Sequence, residues 1–175
     1  MINEKIRMEL NKQVNAELYS AYLYLSMSAY FKSINLPGFA NWMRVQTLEE
    51  MVHADKFYQF ILSRGGKVEL EAIDGPPKTW ASPLAVFEHA YSHEQKVTSL
   101  INDLVNLALK EGDHATGVFL QWFVNEQIEE EASADEIQQK LKLIGKESSS
   151  LFMIDQELGQ RVFTPPQAAG SKNQQ

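Results

Sequence analysis

The chain has 175 residues, 44% hydrophobic and 22% charged, the composition of one soluble globular domain with a core that needs no covalent staples. It contains no cysteine, which excludes disulfides, thiolate metal ligands and cysteine nucleophiles and leaves oxygen and imidazole as metal donors, a set that suits iron or manganese. A formal net charge of −7 disfavours nucleic acid and anionic membrane as partners and is compatible with gathering cations.

From Asn3 to about Phe31, the residues Ile6, Leu10, Val14, Leu18, Ala21 and Leu25 recur at helical spacing and predict a first long helix. Neither a signal-type apolar stretch in MINEKIRMEL nor a run of about 18 apolar residues is present, so a cytoplasmic location is expected. In Asn35-Leu36-Pro37 a capping residue stands two before a proline, and a second helical pattern continues to Arg64, where Gly65-Gly66 stops it. So short a connection implies antiparallel neighbours.

Residues 65–81, GGKVELEAIDGPPKTWA, hold three glycines and two prolines and read as a long connector. A second helix of about 28 residues is about 42 Å long. Seventeen extended residues reach about 56 Å, enough to return along it and leave helices two and three parallel. Ser82-Pro83 opens the third helix, which ends near Gly112, and Asp113 caps a fourth that reaches Ile144 before Gly145. Ser148 to Gln160, with Leu151, Phe152, Ile154 and Leu158, reads as a short fifth helix. The expected fold class is all-α: a four-helix bundle with one long crossover plus a short C-terminal helix. Residues 1–163 would form the domain, and the polar stretch from Thr164, TPPQAAGSKNQQ, a disordered tail.

Acids interrupt the apolar faces. Glu17 does so in helix one, with Tyr24 seven residues on. In helix two, Glu50 and His53 share a face. Glu94 lies within the stripe Phe87, Ala90, Tyr91, Val97 and Ile101 of helix three. In helix four, NEQIEEE pairs Gln127 with Glu130 and sets Glu126 and Glu129 one position around the wheel. Singly, each acid fits a solvated face. Four of them, one per helix at similar heights, would be destabilised by desolvation and repulsion unless cations neutralised them. A metal-free structural bundle offers no reason for such a cluster.

A di-iron bundle draws one glutamate from each of two helices and Glu-x-x-His from each of the other two. This chain has Glu17, Glu94 and Glu50-x-x-His53, then Gln127-x-x-Glu130 in place of the second pair. With NAELYSAYLYLSM, LEEMVHADKF and FLQWFVNEQIEEE in this order, residues 3 to 160 resemble the bacterial and archaeal non-haem ferritins. The resemblance implies iron storage with ferroxidase activity. Glu17, Glu50 and His53 would hold one iron and Glu50, Glu94 and Glu130 a second, with Gln127 beside it and Tyr24 and Trp122 as neighbouring aromatics. A third iron site would use Glu49, Glu126, Glu129 and Glu130. Fe(II) with dioxygen or hydrogen peroxide would be the reactants, and a hollow homo-oligomeric shell of 24 subunits would keep the ferric mineral.

Three further features have alternative readings. His89 and His93 stand four apart, a spacing that can bind zinc, but no third ligand is evident. Asp113 and His114 open helix four at a corner where a ferritin-like shell could admit iron, although capping already accounts for Asp113. Met51 follows Glu50 as the haem-binding methionine does in bacterioferritins. Those resemble the symmetric pattern with a second Glu-x-x-His, which this chain lacks, so no haem is expected.

Overall fold

The computed structural model describes residues 2–145 and 148–165; of the tail expected from Thr164, all but Thr164 and Pro165 lies outside them. Five helices follow one another: α1 (Glu4–Ser33), α2 (Pro37–Ser63), α3 (Pro83–Lys110), α4 (His114–Ile144) and α5 (Ser148–Leu158). The first four form the bundle, with α1 packed on α2 and α3 on α4, while α5 sits against the ends of α2 and α4. Among the described residues no helix is long and apolar enough to cross a membrane.

Local chemistry sets the ends. Asn3, Ser82 and Asp113 accept hydrogen bonds from the first-turn amides of Lys5, Ala85 and Thr116, capping α1, α3 and α4. Asn35 corrects the sequence-based expectation. It does not cap α2; at φ 59° it takes the left-handed conformation that ends α1, a role asparagine shares with glycine. Leu36 occupies the N-cap of α2 and offers no side-chain acceptor. The missing acceptor arrives from α5: Asp155 Oδ1 takes the amides of Gly38 at 2.8 Å and Phe39 at 3.0 Å.

The crossover is bonded along α1 in register. Arg7 and Asn11 donate to the Lys67 carbonyl, Asn15 to those of Glu71 and Ala72, and Ser26 to that of Pro77. Further on, the Trp80 ring meets Tyr30 edge-on at 5.3 Å. Residue numbers rise together on both, so the crossover runs parallel to α1. It delivers α3 to the far end of the bundle, antiparallel to α1 and parallel to α2, and Asn3 bonding Glu111 at 2.8 Å closes the opposite end.

The core is two apolar clusters. One gathers Leu23, Met27 and Phe31 of α1, Phe39 and Met43 of α2, Phe87 of α3 and Ile137 and Leu141 of α4. The other gathers Ile6, Leu10 and Val14, then Phe57 and Ile61, Val97 and Ile101, and Leu120 and Phe123. Leu25, expected in the α1 stripe, is instead 42% exposed, because the stripe drifts around a straight helix over so many turns. Each bundle helix contributes to both clusters and crosses a polar layer between them. That layer holds Glu17, Glu50, His53, Glu94, Gln127 and Glu130, all buried.

Candidate metal centre

Antiparallel packing brings the interruption of each apolar stripe to one level. Glu17 falls between Val14 and Leu23, Glu50 and His53 between Met43 and Phe57, Glu94 between Ala90 and Val97, and Gln127 and Glu130 between Phe123 and Ala134. Two groups of possible donor atoms result, Glu17–Glu50–His53 and His53–Glu126–Glu130, each with its atoms within 4.8 Å of one another. His53 belongs to both: Nδ1 lies 3.3 Å from Glu50 Oε2 and Nε2 lies 3.9 Å from Glu126 Oε1.

Glu94 enters from the other side of the layer. The Tyr24 hydroxyl donates a very short hydrogen bond to its Oε1, and Gln127 Nε2 donates to its Oε2 at 3.2 Å and to its main-chain carbonyl at 3.3 Å. Gln127 also reaches Thr98 Oγ1, whose hydroxyl bonds Glu131. Trp122 stands edge-on to the His53 ring at 5.4 Å. Glu49 and Glu126 are half-buried at the border of the layer, and Glu129 is exposed, outside both donor groups.

The electrostatics are those of too many acids in too little water. Burial first, then the charge of Glu50, holds Glu17 well above the ordinary carboxylate range; burial, then Glu94, does so for Glu50. Glu130 is pushed well up by burial and by Glu94 and Glu50. Glu94 is raised by burial against the opposing hydrogen bonds from Tyr24 and Gln127. Burial raises Glu49 and Glu126 too. Among the described residues, Glu17 Oε2 is the buried side-chain polar atom left without a hydrogen-bond donor. An oxygen so placed needs a proton or a cation.

Sequence reading missed three contributors. Gln13 Nε2 donates to Glu17 Oε1 at 2.8 Å, and Gln46 Nε2 donates to Glu130 Oε2 at 2.5 Å and to Glu50 Oε1 at 3.4 Å. Both glutamines stand four residues before a buried glutamate, a Gln-x-x-x-Glu spacing that was available in the sequence. The third, Arg161, comes from beyond α5 to bond Gln46 Oε1 and Glu49 Oε2, and no local spacing announces it.

The histidine pair four residues apart is otherwise engaged. His89 Nδ1 accepts from Trp80 Nε1 at 3.0 Å and His93 Nε2 lies 2.7 Å from Ser20 Oγ, and neither joins a donor group among the described residues. Asp113 pairs with Arg64 at 3.1 Å besides capping α4, and His114 is exposed. Met51, 48% exposed, lines an open groove with Val14, Leu18, Tyr58 and Leu70.

A layer of carboxylates with one imidazole, no thiolate and a donor-less buried oxygen fits hard or borderline divalent cations. Known proteins share this sequence and fold. A family model described as Ferritin-like domain matches residues 8–144. The chain is 47% identical over 161 residues to the bacterial non-heme ferritin of Bacteroides fragilis (strain 638R), spanning 92% of this chain and all of the relative. It is 37% identical over 163 residues to that of Staphylococcus aureus (strain MRSA252), spanning 93% and 98%. Among solved structures, an engineered closed form of Archaeoglobus fulgidus ferritin superposes with a TM-score of 0.93 at 56% identity, covering 94% of this chain and all of that one. The chain, with its four-helix bundle, short fifth helix and an acid layer across the bundle, belongs to the ferritin family.

Proposed function

We propose that the protein is an iron-storage ferritin whose acid layer oxidises Fe(II) before the ferric product is stored as mineral in a hollow homo-oligomeric shell of 24 subunits. The observation that carries this reading is the buried layer itself: Glu17, Glu50, Glu94 and Glu130, one from each bundle helix, all made weaker acids by burial, with Glu17, Glu50 and Glu130 pushed further by neighbouring members of the layer. Two divalent cations would bring four positive charges against these four carboxylates. Glu17, Glu50 and His53 would hold one Fe(II), and Glu50, Glu94 and Glu130 the other.

Two Fe(II) ions give one electron each, and dioxygen takes up both with two protons to leave as hydrogen peroxide. With hydrogen peroxide as oxidant, the same two electrons and two protons cleave its O–O bond to two waters. The protein's part is to bind, orient and neutralise. Gln13 and Gln46 hold Glu17, Glu50 and Glu130 in place from behind, and Tyr24 and Gln127 fix Glu94. Carboxylates stabilise the ferric product more than the ferrous reactant, which draws the oxidation forward. The ferric product would then move inward and hydrolyse to mineral, with Glu126 and Glu129 at the border offering it further acid.

Anaerobic titration with Fe(II) followed by exposure to oxygen tests the reading. Tight binding of two Fe(II) per chain, and dioxygen uptake on exposure, are expected, with ultracentrifugation reporting the shell. Absence of saturable Fe(II) binding would refute it.

A further inference from the structure

The donor group His53–Glu126–Glu130 lacks one acid that stands beside it. Glu49 precedes the buried Glu50 and its charge couples to those of His53 and Glu126, yet its carboxylate stays outside the group. The reason is visible: Glu49 Oε2 lies 2.5 Å from Arg161 Nη2. The same guanidinium donates through Nη1 to Gln46 Oε1 at 2.9 Å and lies over the Trp42 ring, 4.5 Å from its centroid. Its backbone is tethered independently, since Asn41 Nδ2 bonds the Arg161 carbonyl at 2.9 Å. Arg161 is thus a fixed cation brought from beyond α5 to the border of the acid layer.

We infer that Arg161 is a built-in counter-ion for Glu49 that lowers the affinity of a third metal cation held by Glu49 with Glu126 and Glu130. The inference rests on the ferroxidase reading of the layer. A guanidinium on Glu49 Oε2 draws on the charge of that carboxylate and repels a divalent cation brought to the same acids, so each weakens the hold of the other. The Arg161 bond also sets the Gln46 amide. With its oxygen committed to the guanidinium, its NH2 must face Glu130 and Glu50, the orientation observed. Arg161 is therefore a positioning residue: it keeps the third site weak, so that this site fills after the other two.

Anaerobic Fe(II) binding to the assembled protein, measured by calorimetry, separates the classes of site. The wild type is expected to take up two Fe(II) per chain tightly and a third more weakly. Arg161→Gln should tighten the third by about five- to tenfold, while the first two, which lose the orientation of Gln46, should not tighten. Arg161→Lys, which keeps the charge, should fall between. A purely structural arginine would weaken all sites together. An unchanged or weakened third site in Arg161→Gln, or no third Fe(II) in either protein, would overturn the counter-ion role while leaving the two-iron reading standing. If Arg161→Gln fails to assemble, Arg161→Lys decides, and a third site equal to that of the wild type overturns the proposal. No Fe(II) bound by the wild type would remove the ferroxidase reading and this inference with it.

Discussion

Asp155 caps a helix that lies more than a hundred residues before it: its Oδ1 receives the amides of Gly38 and Phe39 at the start of α2. The approach is so close that a Cβ on Gly38 would stand 1.6 Å from the Asp155 carbonyl oxygen. Asp155→Ala should cost about 1 kcal/mol, the usual worth of an N-cap, and Asp155→Asn less, since an acceptor oxygen remains. Gly38→Ala should cost more than either, because α5 must move from its seat. Chemical denaturation midpoints check the order, and a Gly38→Ala protein as stable as the wild type would contradict the seating of α5.

His53→Ala and Glu94→Ala each remove a donor from the acid layer while both apolar clusters remain. Helix content by circular dichroism should be unchanged, and the fast phase of Fe(II) oxidation should slow by about tenfold or more, since even outer supports of a metal site are worth that much. Stopped-flow absorbance measures it. Unaltered rates in both variants would show that the chemistry lies elsewhere.

Glu49→Ala combined with Glu126→Ala should spare the first two-iron reaction and change the number of irons oxidised per dioxygen. These acids border the layer without belonging to the Glu17–Glu50–His53 group. An oxygen electrode gives the ratio, and a constant ratio would leave a third site without a role in the reaction.

His93 supplies a pH dependence free of the acid layer's own ligands. Burial, with smaller contributions from the charges of His89 and Lys96, lowers its pKa from 6.5 to about 4. The folded protein therefore holds it neutral where the unfolded chain would protonate it. The stability it contributes is complete above pH 6.5 and is lost as pH falls toward 4. Between those limits the wild type should lose more stability than His93→Gln does. Parallel melting curves for the two would expose a wrong sign.

Helices, their order and the long crossover were legible in the sequence because periodicity, caps and connector length are local properties. The acid layer was legible for a related reason: each helix breaks its stripe once, at matching heights. Gln13 and Gln46 could have been read from their spacing to Glu17 and Glu50. Asn35 misled because asparagine serves both helix starts and left-handed ends, and only the chain's path selects between them. Asp155 and Arg161 could not be read at all. Their partners, Gly38 and Glu49, lie 117 and 112 residues away, and only the seating of α5 brings them together.

The acid layer is also a seam. Glu17, Glu50 and His53 ride on α1 and α2, whereas Glu94, Gln127 and Glu130 ride on α3 and α4, and each pair of helices is a local hairpin. Such hairpins form quickly, because their contacts close short loops, while the docking of one upon the other must wait for the crossover to close a long one. Docking adds the repulsion of Glu50 by Glu94 and Glu130 across the seam to that of Glu17 by Glu50 within the first hairpin. A divalent cation that offsets both favours the docked bundle over separated hairpins.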